Sequence, residues 1–404
     1  MTFIFYTNSV SPHQLPLASE MVKLFGEDMY KYIYTDKLTD ERLKMGWSDS
    51  SIPKWCKIGD ATSKDLIESD VLMSGLRLLK VFEKRANLSK MTIYCSERWF
   101  KPIIGFLRLL RPSYFKMALK IVKLLSSDSK FYYFPMGIHA ARDMARLCGM
   151  MHGDLRCLFR APELEFERRP GGKIWLKDKK IDSENSRKYC LDKMRMWGYY
   201  VKPSGIDALP VQEMAKTNRE VVRVLWVGRL LNLKRVDTIV RAVGEHMNLK
   251  RVDDSLPKIT LDIYGVGPEE KRLKKMAAKY GDVIKFHPPV PIDEVRKLMR
   301  SHDVYVLSSN AYEGWGAVVS EALEEGMKVV GTYEAGASAT MLPESNLFHA
   351  GDCRRLMNIL RDPCVDVRIG SWSVKSAAEY IGCDVLKDFS EINSIKLVYE
   401  RRGL

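Results

Sequence analysis

Two glutamates, Glu313 and Glu321, carry the pattern in this chain that most suggests chemistry. Seven residues lie between them, and Gly314-Trp315-Gly316 directly follows the first. The apolar run at 304–307 predicts a buried strand, and residues 317–323 have helical composition. Glu313 is therefore expected in a strand-to-helix loop, with Glu321 about two turns, or roughly 12 Å, further along.

A loop of this kind suits a polyhydroxylated, negatively charged ligand. Carboxylates accept hydrogen bonds from sugar hydroxyls, glycines let the backbone approach closely, and a helix N-terminus offers N–H groups to an anion. The alternative is structural: one glutamate complements the helix dipole and the other is simply solvated.

Two further strand-to-helix loops precede this one. Residues 221–227 form an apolar run that closes on Gly228 and Arg229, and Lys234 follows five residues later. Residues 259–264 repeat the arrangement and close on Gly265-Val266-Gly267. Three such units predict ligand loops at the carboxyl ends of parallel strands, where open α/β sheets bind nucleotides. Taken singly, either cation could equally be an ordinary surface charge.

Together these motifs resemble family 4 of the retaining glycosyltransferases, which have the GT-B fold. The resemblance covers about residues 200–345 and includes a later Gly331…Gly336 segment. It implies an α/β protein with two Rossmann-like domains facing across a cleft. The expected boundaries are an acceptor-side domain at 1–205, a nucleotide-sugar domain at 206–380, and a closing helix within 381–404 that packs back on the first domain.

The resemblance also implies roles for individual residues. Arg229 and Lys234 would neutralise the diphosphate of a sugar nucleotide, and Glu321 would hold the ribose. Glu313 would hold the donor sugar beside its reacting carbon, faced by His139 from the opposite domain. The remaining donor-site candidates are backbone or loop positions: Gly228, Gly265, Gly267, Val290, Gly314, Trp315 (more usually Phe in the family) and Gly316.

Candidates for the acceptor side of the cleft come from the first domain. The loop at 8–14 has no glycine, unlike that of many relatives, so His13 or Gln14 is expected to face the acceptor rather than the diphosphate. Glu97 and Arg98 follow a predicted strand at 91–96, where the alternative is a simple ion pair. Other predicted elements here are strands at 2–8, 30–35, 131–135 and 199–201, helices at 13–25 and 72–87, and an exposed loop at 168–185.

Positive charge is concentrated in one part of the chain. Residues 101–200 contain 21 Lys and Arg against 10 Asp and Glu, and residues 101–125 contain six basic residues and no acid. After Pro112 the pattern predicts a basic amphipathic helix, with Phe115, Ala118, Leu119 and Val122 on the core face. One interpretation is a structural helix whose lysines are simply solvated. The functional interpretation is docking on an anionic membrane through Arg108, Arg111, Lys116, Lys120 and Lys123.

Composition bounds the remaining possibilities. No run of 18 apolar residues exists and the first residues do not resemble a signal peptide, so a cytoplasmic protein is expected, peripheral on the inner face of the plasma membrane if the basic segment docks there. No Asp-x-Asp pair occurs. We therefore expect no metal and no cofactor, with Arg229 and Lys234 taking the place of a cation.

The sequence predicts a retaining, metal-independent glycosyltransferase. The donor would be a nucleoside-diphosphate sugar, and the acceptor a lipid-linked or membrane-associated glycan of cell-envelope polysaccharide synthesis. Two other classes stay open: a sugar-nucleotide epimerase of the same fold, and a non-catalytic basic protein that binds polyanions, although no nucleic-acid partner is expected. The donor sugar, the base and the acceptor are not specified by these residues.

Overall fold

The description rests on a computed structural model of the 404-residue chain. It describes residues 1–39, 52–59, 61–100, 105–168, 174–178, 187–201 and 221–361. The expected crossover at 202–205 and the expected closing helix within 381–404 lie outside these ranges, so both stay predictions.

The first domain is built on a parallel six-stranded sheet. Its strands are β1 (Phe3–Thr7), β2 (Tyr30–Tyr34), β3 (Cys56–Ile58), β4 (Val71–Ser74), β5 (Met91–Ser96) and β6 (Phe131–Pro135). They lie in the order β3-β2-β1-β4-β5-β6. Every residue of β1 and β4 is buried, as expected for central parallel strands covered on both faces. The order reverses between β1 and β4, which makes their carboxyl ends a natural ligand crevice.

Helices cover both faces of this sheet. The described ones are α1 (Leu15–Phe25), α2 (Ser63–Glu68), α3 (Leu79–Asn87), α4 (Pro112–Ser126) and α5 (Ile138–Met151). The predicted helix at 72–87 is wrong in its first half, because Val71–Ser74 is strand β4 and only Leu79–Asn87 is helical. A short apolar run buried on both sides has no periodicity that separates a strand from a buried helix.

Two more sequence predictions for this domain need correction. The expected loop at 168–185 contains a strand: β7 (Leu164–Arg168) pairs antiparallel with β8 (Ile174–Asp178). The expected strand at 199–201 is not one. Instead, the backbone N–H of Tyr200 donates to the carbonyl of His13 at 2.8 Å, which ties this segment to the loop after β1.

The second domain repeats the same topology. Its strands are β9 (Val221–Val227), β10 (Lys258–Tyr264), β11 (Ile284–His287), β12 (Val304–Leu307), β13 (Lys328–Thr332) and β14 (Leu347–Phe348), in the order β11-β10-β9-β12-β13-β14 and all parallel. Its helices are α6 (Val236–Lys250), α7 (Glu270–Ala277), α8 (Ile292–Ser301), α9 (Val318–Glu324), α10 (Gly336–Met341) and α11 (Cys353–Arg361). Here the order reverses between β9 and β12.

The two domains touch at the start of α5. The backbone N–H of Ile138 donates to Thr340 Oγ1 of α10 at 3.0 Å. A Cβ added to Gly137 would lie 3.0 Å from both Thr340 Oγ1 and the ring of Trp315, so a glycine is needed for this close approach. The carboxyl-end loops of the two sheets therefore meet here. Among the described residues, no helix is long and apolar enough to cross a bilayer.

Candidate active site

The loops after β9 and β10 pack directly against each other. A Cβ added to Gly265 would lie 1.8 Å from the carbonyl oxygen of Gly228, and one on Gly267 would lie 2.5 Å from that of Leu230. The Gly228 N–H donates to the carbonyl of Tyr264 at 3.0 Å. These glycines are thus explained by loop-to-loop packing, whether or not a ligand also approaches them. Arg229 lies at the edge of this pair of loops with an exposed side chain.

Glu313 and Lys234 are brought together at the reversal point of the second sheet. Lys234 Nζ donates to Glu313 Oε2, and Ser309 Oγ donates to the same oxygen at 2.8 Å. Lys234 is the last residue of a short 3-10 turn, and its backbone carbonyl accepts a hydrogen bond from Ser308 Oγ at 2.6 Å. Both charged side chains are mostly shielded from solvent, with exposures of 23% for the lysine and 14% for the glutamate. Glu313, predicted to bind the sugar, therefore pairs directly with Lys234, predicted to bind the diphosphate.

Glu321, on α9, reaches across to the first domain. Its Oε1 accepts a hydrogen bond from His13 Nε2 at 2.9 Å. His13 lies in the loop after β1, where its ring is tilted against Tyr199 with centroids 5.7 Å apart. This contact is consistent with the expectation that His13 lies in the cleft. The partner of His13 is Glu321, the carboxylate predicted to hold the ribose.

The Gly-Trp-Gly turn has a buried side chain at its centre. Trp315 is almost fully buried in the core between β12, α9 and α10, and its carbonyl accepts from the Ala337 N–H at 2.8 Å. Gly316 has φ of 90°, a value that other residues rarely adopt. A Cβ on Gly314 would lie 2.5 Å from Glu97 Oε2, so the Glu97 carboxylate of the first domain stands directly over this turn. The Trp315 side chain is therefore an anchor that fixes the turn.

His139 lies in the first turn of α5 and faces the second domain. Its Nε2–H donates to the carbonyl of Tyr333 at 2.6 Å, which assigns the proton to Nε2 and leaves Nδ1 as an acceptor. Burial, reinforced by the nearby charge of Arg98, lowers the pKa of His139 to about 3. The imidazole is therefore neutral at physiological pH, and its Nδ1 can accept a hydrogen bond without adding charge to the cleft.

The other two first-domain candidates have structural partners. Arg98 Nε lies 3.5 Å from Asp143 Oδ2 on α5, which favours the ion-pair alternative for that residue. Gln14 Oε1 accepts a hydrogen bond from the Tyr32 hydroxyl at 3.2 Å, at the position that precedes α1. Val290, before α8, is half-buried against the core of the second domain.

Several polar groups of the site were not predicted. Ser308 and Ser309 are fully buried, Thr332 Oγ1 donates to the Ser309 carbonyl at 2.5 Å, and Thr340 joins the two domains. The only available signal was position, since Ser308, Ser309 and Thr332 follow or end strands β12 and β13. Among the described residues, no group of three or more His, Cys, Asp or Glu is placed to hold a metal; metal independence stays a prediction.

The basic segment forms α4 with the lysines exposed, as predicted. Lys116, Lys120 and Lys123 all lie on the outer surface, and Lys120 Nζ pairs with Glu83 Oε1 of α3 at 2.7 Å. The predicted core face needs correction at Phe115, which is 41% exposed. The residues that the helix buries are Ala118, Ile121, Val122, Leu124 and Leu125. They lie toward the C-terminal end of α4, because that part of the helix packs between its neighbours.

Comparison with known proteins assigns this architecture to a class. Residues 212–352 match the family described as glycosyl transferases group 1. The lipopolysaccharide outer core galactosyltransferase WaaB is similar over 95% of this chain and 100% of its own, with a TM-score of 0.57 and 13% identity. The Anabaena protein HepE in complex with UDP is similar over 98% and 100%, with a TM-score of 0.52 and 16% identity. The chain therefore has the GT-B fold, as the resemblance implied.

The curated sequence relatives match this chain over only part of their own length. The GtfA subunit of the UDP-N-acetylglucosamine–peptide N-acetylglucosaminyltransferase of Streptococcus gordonii is 26% identical over 140 residues, which is 33% of this chain and 26% of the relative. The D-inositol 3-phosphate glycosyltransferase of Streptomyces coelicolor is 28% identical over 170 residues, which is 39% and 36% respectively. The chain thus spans about a quarter to a third of the length of these two curated relatives. The family 4 assignment itself stays a prediction.

Proposed function

We propose that this protein is a retaining glycosyltransferase that moves a sugar from a nucleoside-diphosphate sugar to an acceptor hydroxyl. One observation carries the proposal: Lys234, Glu313 and Glu321 converge where the strand order of the second sheet reverses, and Glu321 and the Gly314 turn face His13 and Glu97 of the first domain. A cleft with carboxylates for hydroxyls and cations for a diphosphate fits the two halves of a sugar nucleotide.

The chemical task is the departure of a nucleoside diphosphate. Lys234, with Arg229 exposed nearby along the chain, would neutralise the negative charge that develops on the leaving phosphate. For Lys234 to reach a phosphate, its bond to Glu313 must be exchanged, which leaves the Glu313 carboxylate to accept hydrogen bonds from the donor sugar. Neutral His139, facing the cleft from the first domain, adds a polar contact without opposing the positive charge that builds up on the sugar ring.

Retention of configuration follows if the acceptor attacks from the face that the diphosphate leaves. The leaving phosphate would then take the acceptor proton, and no separate general base is needed. Glu313 acting as a covalent nucleophile is the alternative within the same site. Two cations supplied by the chain would replace a metal ion in this scheme.

A lipid-linked or membrane-associated acceptor is supported by the surface beside the cleft. α5 carries His139 in its first turn, in the cleft, and Arg146 seven residues later, on the same face and about 10 Å along the helix axis. Arg146 stacks on Phe106, next to the exposed Arg108 and close in sequence to Arg111 and α4. We therefore propose a peripheral protein on the cytoplasmic face of a membrane, with cell-envelope glycan synthesis as its role.

A ligand screen tests the donor assignment. Because HepE was solved with UDP, UDP-sugars come first, followed by GDP- and ADP-sugars, in a thermal-shift assay. A nucleotide that binds only the folded state raises the melting temperature, and Glu321→Ala should abolish most of that rise. If no nucleotide stabilises the protein while polyanions bind it with strong salt dependence, the transferase proposal fails. Conversion of the donor without any acceptor would instead identify an epimerase.

The membrane assignment has its own test. Replacing Lys116, Lys120 and Lys123 by Glu reverses the charge of one face of α4 while leaving its buried stripe intact. Each basic residue contributes about 1 kcal/mol near an anionic surface, so vesicle binding should fall by at least two orders of magnitude while nucleotide stabilisation persists. Unchanged binding to anionic vesicles at low salt would leave these lysines as an ordinary solvated surface.

A further inference from the structure

Exposed large apolar side chains are concentrated on one part of the first domain. They lie on two 3-10 turns, Gly105–Leu110 and Leu155–Leu158, and on the residues that follow each turn. We call this set the apolar rim; its members are Leu107, Leu110, Phe115, Leu155, Leu158 and Phe159. Leu110 is 78% exposed and Phe159 is 89% exposed, which is unusual for side chains of this size.

A single side chain joins the two turns of the rim. The Arg146 guanidinium lies 3.6 Å from the centre of the Phe106 ring in the first turn. The same group donates to the carbonyl of Cys157 and to the carbonyl of Leu158 in the second turn, each at 2.7 Å. The two turns are therefore neighbours held in a fixed relation by α5, so their exposed apolar residues belong to one surface.

The charges around the rim are unevenly divided. On its first side the exposed Arg108, Arg111 and Lys116 belong to a segment, 101–127, that contains no acidic residue. On its second side Arg156 is paired with Asp154 and Arg160 is paired with Glu163. The first side can therefore attract an anionic surface, whereas the second side is balanced and offers mainly apolar contact.

We propose that the apolar rim inserts into the headgroup region of an anionic bilayer, so that this protein is held on the membrane by apolar burial as well as by charge. The proposal rests on the proposed function and deepens it, by assigning the membrane contact to two turns rather than to the lysine face of α4 alone. Apolar side chains flanked on one side by exposed basic residues match the depth profile of a bilayer interface, in which an apolar interior lies beneath anionic phosphates. A protein partner complementary to the same surface would need to supply acidic residues opposite that basic side.

Vesicle sedimentation tests the rim directly. The full chain is mixed with phosphatidylcholine vesicles that contain phosphatidylglycerol, and the double variant Leu110→Ser/Phe159→Ser is compared with the wild type. The matched control is Val252→Ser in the second domain, since Val252 is 90% exposed but lies outside the rim. Removing an inserted side chain weakens partitioning by roughly tenfold, so the double variant should bind about a hundredfold more weakly and the control should bind like the wild type.

Salt separates the apolar contribution from the charge contribution. The wild type should keep measurable vesicle binding at high salt, because burial of apolar surface is not screened, whereas the double variant should lose it. Equal binding of the double variant and the wild type, with nucleotide stabilisation intact in both, would overturn the rim while leaving the proposed function standing. A wild-type dimer that the double variant converts to a monomer, without vesicle binding by either, would overturn it in favour of a contact between copies.

Discussion

The hydrogen bond between His13 and Glu321 predicts that the first domain competes with the donor for one carboxylate. If Glu321 binds the ribose hydroxyls, these must take over the acceptor that His13 Nε2–H occupies at 2.9 Å. Both side chains are well shielded, with exposures of 19% for His13 and 12% for Glu321, so water does little to weaken the bond. Nucleotide binding therefore includes the cost of breaking it.

Replacing His13 by alanine removes that cost. The net contribution of a hydrogen bond of this kind is about 0.5–1.5 kcal/mol, which corresponds to a fall in nucleotide Kd of about two- to tenfold. Isothermal titration with the nucleotide found in the thermal-shift screen measures the change. His152→Ala is a suitable control, because His152 is a first-domain histidine whose partners, Ser126 and the Lys188 carbonyl, lie outside the cleft.

A double-mutant cycle makes this test decisive. In a Glu321→Ala background His13 has no carboxylate to occupy, so His13→Ala should then leave nucleotide affinity unchanged. A single His13→Ala variant that binds nucleotide more weakly than the wild type would show that His13 contacts the ligand rather than competes with it. The same gain in both backgrounds would also refute the competition.

Four further outcomes follow from the site. Glu313→Ala should mainly lower kcat and Glu321→Ala should mainly raise the nucleotide Kd, as steady-state kinetics and titration can show; small and equal effects would contradict the two roles. Activity should survive EDTA, and loss that Mn²⁺ restores would reverse the account of charge neutralisation. Gly314→Ala should impair turnover because the added Cβ meets the Glu97 carboxylate, and adding Glu97→Ala to this variant should partly restore turnover. His139 has a depressed pKa of about 3 against about 6.5 when unfolded, so unfolding takes up a proton between these values and stability falls as pH falls through that window. The urea midpoint of the wild type should accordingly fall more steeply than that of His139→Gln as the pH is lowered toward 4.

The sequence predicted the bounds of several strands, for a physical reason. Strand β9 was placed at Val221–Val227 and β12 at Val304–Leu307, with the same bounds as in the structure. These strands are apolar runs followed directly by glycine or by polar loop residues. Val71–Ser74 merged with the following helix in the sequence interpretation although Gly75 follows it, because so short an apolar run has no periodicity that separates a strand from a buried helix. Ile174–Asp178 was hidden by the charges around it.

Site residues were predictable as types but not as partners. The spacing of Glu313 and Glu321 indicated two carboxylates along one loop and helix, but no local pattern could show that Lys234 would bind the first and His13 the second. The second pairing depends on how two domains meet, which involves positions 308 residues apart. Trp315 was likewise taken as a backbone position, since its burial arises from α10, a later element.

The N-terminus of α5 has a cap that belongs to the other domain. Gly137, at the N-cap position, has no side chain to satisfy the first turn, and Thr340 Oγ1 accepts from the Ile138 N–H in its place. Loss of an N-cap typically costs about 1 kcal/mol, so separating the domains would loosen the turn that carries His139. Closure of the cleft and order at His139 are thereby thermodynamically linked: the histidine is held in register when the domains are together, and the helix frays from that end when they part.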